Sequence, residues 1–400
     1  MTKWNVVKLG EVCSISSSKR IYAREYQSEG IPFYRGKEII QKHNGNEVST
    51  ELFITRQRYE EIKNKFDVPQ KGDILLSCVG TLGVSWLVDE EEFYFKDGNL
   101  TWLRCNKKTT PQFLYLWLNS PEAQNQIDAM CIGSTQKALT IETLKKFDIT
   151  LPRLEIQEKI CEIINPISKK ITVNRATNRN LEEQTLALFK SWFIDLDPWS
   201  GEVPSSWHEG ALGEYVTIKR GGSPRPIKDF ISEYGLRWLK ISDVSKLNSP
   251  YVIDIKERIK ESGLKKTVLL NKGSFVLSNS ATPGIPKILD VDSCIHDGWL
   301  YFLDSQLSNQ FLYLFFKHIR PNLVAMGNGS VFTNLKTDIL KAYPIVKPDN
   351  KTLNDFDEVV LPMFKEMQRV ARENQKLSSI RDTLLPKLMS GELNVADLDI

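Results

Sequence analysis

The chain has 400 residues, 41% of them hydrophobic, which is enough for two or more cored domains. Its formal net charge is only +3, so no global field attracts a polyanion, and any nucleic-acid contact must come from local basic clusters. Six cysteines (13, 78, 105, 131, 161, 294) without a C-x-x-C pair and four scattered histidines (43, 208, 296, 318) argue against a zinc site and for reduced thiols.

No apolar signal core follows Met1-Thr2-Lys3-Trp4. The longest apolar run, Phe311 to Phe316, is far short of a membrane span. A soluble, cytoplasmic protein is expected. Residues 1–152 mix short strands and short helices. Trp4, Leu9-Gly10-Glu11 and Ile15 open them, and Lys19, Arg20 and Arg24 form a first basic cluster. Phe33 to Ile39 follows, with Tyr34, Arg35 and Lys37 as contact candidates. Ile74 to Cys78, begun by Lys71-Gly72, suits a buried strand. The polar loop Ser77 to Gly83, with Thr81, runs on from it, and Asp97-Gly98 reads as a turn. Phe113 to Leu118 reads as an apolar helix stopped at Ser120-Pro121. Gly133-Ser134-Thr135-Gln136-Lys137 is a further polar loop.

Residues 153–200 hold one long helix and a linker. From Leu154 to Trp192 the apolar positions fall in two rows of heptad spacing: Ile160, Ile167, Asn174, Leu181, Leu188, and Ile164, Ile171, Asn178, Thr185, Trp192. Such a stripe wants a partner helix rather than a broad globular core. At 1.5 Å per residue it spans roughly 55 Å. Asp197-Pro198-Trp199-Ser200-Gly201 ends it and marks a domain boundary.

Residues 201–349 repeat the first domain, with an offset that drifts from 203 to 196. Trp207, Leu212-Gly213-Glu214 and Ile218 stand for Trp4, Leu9-Gly10-Glu11 and Ile15. Lys272-Gly273 with Phe275 to Leu277 stands for Lys71-Gly72 with its strand, and Asp297-Gly298 for Asp97-Gly98. Gln112 to Leu116 recurs letter for letter as Gln310 to Leu314. Residues 350–400 repeat the rod: Phe356, Met363, Val370, Leu377, Leu384 in one row and Val360, Met367, Asn374, Arg381, Leu388 in the other. Asn178 maps onto Asn374, and Pro166 onto Pro362, where a proline bends a helix. An asparagine in a seam costs stability but can fix register; the alternative is mere tolerance near a solvated edge. Ser200-Gly201-Glu202-Val203 is matched by Ser390-Gly391-Glu392-Leu393, so the two chain ends are expected to meet and the units to close into a ring. The chain is a duplicated unit of globular domain plus long helix.

Two similar domains on rods suit a target with two separated features, such as duplex DNA. The second domain repeats the basic clusters as Lys219, Arg220, Arg225 and Lys228 around Gly221-Gly222-Ser223-Pro224, where the backbone can approach a phosphate. Lys240 and Ser242 stand for Arg35 and Lys37. Asn279, Ser280 and Thr282 follow the central strand, and Asn328 and Ser330 lie in a glycine-rich loop. Such side chains read base edges in the major groove, although any one cluster can equally be a solvated face. Asp243, Asp254 and Lys256 mimic a metal-dependent nuclease pattern, but Asp-x-Lys has no counterpart in the first domain. No P-loop, G-x-G-x-x-G or Ser/His/Asp set appears, which argues against catalysis by this chain and against a bound metal.

The chain resembles the specificity (S) subunits of type I restriction–modification systems over essentially its whole length. The resemblance rests on Leu384-Leu385-Pro386-Lys387-Leu388-Met389-Ser390-Gly391-Glu392-Leu393 and Leu188-Phe189-Lys190-Ser191-Trp192-Phe193, with the two glycine loops at 133–137 and 221–224. Ser16-Ser17-Ser18-Lys19-Arg20 departs from the second domain's Gly-Gly-Ser-Pro. The resemblance implies an α+β fold with two pseudo-symmetric target-recognition domains separated by two long antiparallel coiled-coil helices. Each domain would read one half of a gapped double-stranded DNA site. The helices would set the gap and dock methyltransferase (M) subunits, which carry S-adenosylmethionine and methylate adenine. A restriction (R) subunit would add ATP- and Mg-dependent translocation and cleavage. The implied helix seam is Ile160, Ile164, Ile167, Ile171, Asn178, Leu181 and Leu188 against Val360, Met363, Met367, Asn374, Leu377 and Leu384. The competing readings are a coiled-coil protein-interaction scaffold without DNA binding, and the nuclease built on Asp243, Asp254 and Lys256.

Overall fold

The structure is a computed structural model, and it describes residues 4–130, 138–244, 247–325 and 335–395. The chain divides into two compact units, residues 1–172 with 377–400, and residues 173–376. Each holds one globular domain and a stretch of both long helices. The C-terminal tail belongs with the N-terminal domain, as the repeated Ser-Gly-Glu segments lead one to expect: Leu393 and Val395 pack in the cluster that holds Trp4 and Leu9.

In the first unit a four-stranded antiparallel sheet runs in the order Cys13–Ser16, Leu100–Cys105, Ile74–Ser77, Ser85–Leu87. Ile74 to Ser77 is buried on both faces, which is why its sequence is an unbroken apolar run. Gly72 starts it at φ +91°, and Gly273 does the same for Phe275–Ser278 at φ +90°, a conformation that favours glycine. A smaller sheet pairs Ile31–Tyr34 in parallel with Tyr94–Phe95. The two ends of the domain are tied together by Asn5–Lys8 against Asp148–Leu151.

The second unit repeats this plan. Its main sheet has the order Thr217–Arg220, Trp299–Leu303, Phe275–Ser278, Pro286–Leu289, Tyr251–Val252. Leu236–Leu239 pairs in parallel with Ser293–Ile295, and His208–Ala211 closes the domain against Pro344–Lys347. The repeated Gln-Phe-Leu-Tyr-Leu segments are helical in both units. Each starts at a hydroxyl cap, Thr110 and Ser308, which accepts the N–H of Phe113 and Phe311 respectively. Pro121 does not end helical structure, however. It opens a further helix, Pro121–Met130, at the position where its missing N–H costs nothing.

The long helices are Leu154–Phe193 and Asn350–Ser390. In the second unit Asn174 donates to Asn374 at 3.0 Å, and Trp192 meets Phe356 with ring centroids 5.5 Å apart. Eighteen residues forward on one helix match eighteen back on the other (192 − 174 = 374 − 356), so the pair is antiparallel. In the first unit Ile160 and Ile164 pack in one cluster with Leu385, Leu388 and Met389. Of the seam positions, Ile160, Ile164, Ile171, Asn178, Val360 and Met367 are buried. Ile167, Leu181, Leu188, Met363, Asn374, Leu377 and Leu384 are half-buried.

The helices do not pair only with each other. Phe189 and Phe364 lie off the heptad rows and are almost fully buried. Phe189 packs on Phe311 at 5.3 Å and Phe364 on Tyr313 at 5.6 Å, inside the second domain's own core. The stripe is therefore wider than a two-helix seam, because it also closes a globular core. Burying each such ring contributes roughly 1.5–3 kcal/mol. In the first unit the buried Gln157 ties the helix start to its domain. Its amide donates to the carbonyls of Lys108 and Pro152, and its oxygen accepts from Thr109 and Thr110.

Candidate nucleic-acid interface

In the first domain the chain leaves Ile31–Tyr34 and enters the helix Gly36–His43. Glu38, fully buried, accepts the Arg35 backbone N–H at 2.8 Å and its guanidinium at 2.9 Å. That pair of hydrogen bonds fixes Arg35 at the edge of a cleft of about 530 Å³, lined by Arg35, Gly36, Lys37, Ile40, Glu51, Val79, Thr81 and Asn99. The structure thus brings Arg35, Lys37 and Thr81 together. Thr81 is held in place because Ser77 donates its hydroxyl to the Thr81 carbonyl and accepts the Val84 N–H.

Lys19, Arg20 and Arg24 do not line this cleft and are exposed. Arg20 bonds Asp97 at 2.8 Å, the Lys19 ammonium lies 4.5 Å from the Phe66 ring centroid, and Arg24 lies over Tyr22. Tyr34 requires a correction. It is 4% exposed, stacks on Phe93, and its hydroxyl donates to Glu91 at 2.6 Å, so it is core and presents no surface to a base.

The second domain holds a cavity of about 760 Å³ lined by Ser223, Pro224, Arg225, Pro226, Ile227, Lys228, Trp238, Lys240 and His296. Four residues singled out from the sequence, Ser223, Arg225, Lys228 and Lys240, meet there. Asp297 organises the rim. Its carboxylate accepts from the Ser223 hydroxyl at 2.7 Å and the Arg225 guanidinium at 3.1 Å. Its carbonyl accepts from Arg220 at 2.6 Å and Asn279 at 3.3 Å. Burial alone would raise its pKa, but the Ser223 and Arg225 bonds outweigh it and hold the carboxyl below its ordinary range. Arg225 remains 78% exposed and can exchange this partner for a phosphate. Lys240 pairs with Glu257 at 2.8 Å. Lys219, Lys228 and Ser242 are exposed.

Ser280 and Thr282 are half-buried in a loop built like the first domain's: Ser278 donates to the Thr282 carbonyl and accepts the Ile285 N–H. Asn279 requires a correction like that of Tyr34, since it is 2% exposed and braces the Asp297 turn from inside. Gln136, Lys137, Asn328 and Ser330 lie outside the described residues.

Gly221 and Gly222 also differ from expectation. A Cβ on Gly221 would stand 2.4 Å from the His296 carbonyl oxygen, and one on Gly222 would stand 2.6 Å from that of Lys266. The glycines are required by close approach to the chain's own backbone, which seats the loop 221–228. Asp243 has a structural role as well: its carboxylate accepts the Lys240 N–H at 2.8 Å, as Glu38 accepts that of Arg35. Asp254 accepts from Gln375 at 3.4 Å. Among the described residues, no three His, Cys, Asp or Glu gather as a metal site. No helix among them is long and apolar enough to cross a membrane.

A family model described as the type I restriction modification DNA specificity domain matches residues 1–183 and again 204–360. The chain belongs to this family. Its two matches follow the internal repeat. The specificity subunit of the type I restriction enzyme MjaIX from Methanocaldococcus jannaschii is 23% identical, over 99% of this chain and 94% of that protein. The HindI specificity subunit from Haemophilus influenzae is 24% identical, over 83% of this chain and 90% of its own length. The crystal structure of a type I S subunit from M. genitalium superposes with a TM-score of 0.57 at 17% identity, covering 96% of each chain, and shows the shared fold. The chain is a DNA-specificity subunit of a type I restriction–modification system, and the interaction-scaffold alternative is not favoured.

Trp238, His296 and the hub role of Asp297 went unnoticed in the sequence. Asp297 carried a signal, since Asp-Gly recurs at 97–98. Trp238 and His296 carried none, because only the parallel pairing of Leu236–Leu239 with Ser293–Ile295 brings them together.

Proposed function

We propose that each domain reads one part of a gapped duplex site, and that the chain supplies address and scaffold while partner subunits carry the chemistry. The observation that supports this best is a cation that edges a cleft at the same position of both copies, Arg35 in the first domain and Lys240 in the second. Each of the two follows the smaller sheet's strand, Ile31–Tyr34 or Leu236–Leu239, and further cations join it from different segments, Lys37 in the first cleft and Arg225 and Lys228 in the second. Phosphates are met by the exposed cations and base edges by side chains inside the clefts. The helices dock the M subunits. Val173, Val359 and Ile380 are large apolar residues left exposed on them, which supports a further protein partner. S-adenosylmethionine, ATP and Mg belong to the M and R subunits, and this chain catalyses no step.

The test is binding of the purified chain, alone and with M subunits, to random and to site-bearing duplexes across a salt titration. Salt-sensitive affinity with a sequence-dependent increment is expected. Affinity indifferent to salt and sequence would return the chain to the scaffold reading.

A further inference from the structure

His296 lines the second domain's cavity. The residue follows the strand Ser293–Ile295, where the chain enters the Asp297-Gly298 turn. The ring packs on Trp238, centroids 6.1 Å apart, and lines the cavity beside Arg225, Lys228 and Lys240. Its Nδ1 accepts the Gly298 backbone N–H at 2.7 Å. A ring nitrogen that accepts carries no proton, so the proton sits on Nε2. Burial holds the imidazole pKa below its ordinary value, against the pull of Asp297, whose carboxylate lies 3.7 Å from Nδ1. The ring is therefore neutral at pH 7 with a fixed tautomer. Gly298 is matched to it, since a Cβ there would stand 2.1 Å from the ring's Cε1. Among the described residues nothing bonds to Nε2, and its N–H is a donor offered to the occupant of the cavity.

We propose that His296 is a specificity-determining residue of the second domain, its Nε2–H donating to a base-edge acceptor in the major groove of the target duplex. This rests on the reading of that domain as a DNA reader. Purine N7, guanine O6 and thymine O4 present such acceptors, whereas the cytosine N4 amino group is itself a donor and is rejected. The cations at the rim suit the flanking phosphates. In the first domain the same strand end carries Lys96, whose backbone N–H donates to the Tyr34 carbonyl at 2.9 Å just before Asp97-Gly98. The two domains thus carry different side chains at this strand end.

The test is methylome mapping of hosts carrying the complete system with wild-type chain, His296→Asn or His296→Gln. Asparagine can still accept the Gly298 N–H but lacks the reach of Nε2. Glutamine places an amide N–H where Nε2 stands. His296→Asn should lose roughly tenfold discrimination at one position of the second half-site and leave the first half unchanged. His296→Gln should keep a preference at that position. A merely structural role predicts the reverse order, with asparagine the better replacement, and that result overturns the proposal, as does a wild-type motif in the asparagine variant. Where a variant fails to assemble, the wild-type complex is titrated with duplexes lacking one acceptor at a time: 7-deazapurines, 2-aminopurine for guanine, and a thymine analogue without O4. A similar loss at one position of the second half is expected, and no loss anywhere in that half overturns the proposal. A wild-type methylome with no second half at all would instead sink the reading of the domain as a DNA reader.

Discussion

The two asparagines Asn174 and Asn178 stand one helical turn apart on the first long helix, and their substitution should change stability in opposite directions. The repeat offset of 196 carries Asn178 onto Asn374 and Asn174 onto Val370. Antiparallel pairing puts Asn174 against Asn374, with a 3.0 Å hydrogen bond. Repeat symmetry then puts Asn178 against Val370, which has nothing to donate. Accordingly Asn178 is 4% exposed and its side-chain oxygen has no partner, while Val370 is 1% exposed. A buried unsatisfied polar group costs about 1–3 kcal/mol. Asn178→Val should remove most of that cost and stabilise the second unit by about 1–2 kcal/mol. Asn174→Val should remove the hydrogen bond to the half-buried Asn374 and destabilise by about 0.5–1.5 kcal/mol. For a unit of about this size that is a shift of about 2–4 °C in melting temperature per kcal/mol. Calorimetry of the purified subunit reads both. If both variants melt lower than wild type, the assignment of Asn178 to an unpaired seam position is wrong.

Asp290 is 6% exposed and receives Arg372 twice at 2.6 Å, Gln368 at 2.8 Å and Lys272 at 3.0 Å, so Asp290→Ala should cost the second unit about 1.5–3 kcal/mol in a denaturant melt. Lys287 is buried near Glu182 and Lys317, and its pKa is pushed down by burial to about 7, below the 10.5 of an exposed lysine. The unfolded chain therefore binds the extra proton between these values, so stability should rise with pH from about 7 towards 10.5. Lys287→Met should flatten that rise relative to wild type, and parallel stability–pH curves for the two would refute the buried-lysine assignment. Arg225→Ala and Lys228→Ala should each weaken DNA binding across all sequences and reduce the salt slope by about one, measured by fluorescence anisotropy at several salt concentrations. Unchanged affinity would mark these side chains as an ordinary solvated face.

Much of the fold was legible because it is written twice. The offset between copies located both domains, and Lys-Gly before an apolar run located both central strands. Heptad spacing located both helices, since a periodic stripe survives any tertiary context. The width of the stripe was not legible. Phe189 and Phe364 serve the domain core from outside the heptad rows, and sequence spacing does not distinguish a second packing partner from an off-seam aromatic. The clefts were half legible. Arg35, Lys37, Ser223, Arg225 and Lys240 announced themselves by charge, polarity and position. Tyr34 looked like a contact residue because it neighbours Arg35, but it lies on the enclosed side beside Phe93. Gly221 and Gly222 looked like a phosphate loop, but the tight neighbour is the chain's own His296 and Lys266 backbone. These are long-range contacts, and no local pattern encodes them.

Two separate readers on one chain should be exchangeable one at a time. The most direct measurement replaces residues 1–152 with the corresponding domain of another family member and maps methylated adenines across the host genome. One half of the two-part motif should change, while the half read by residues 201–349 and the unspecified gap stay as they were. A motif in which both halves change together would show that the two domains do not read separately.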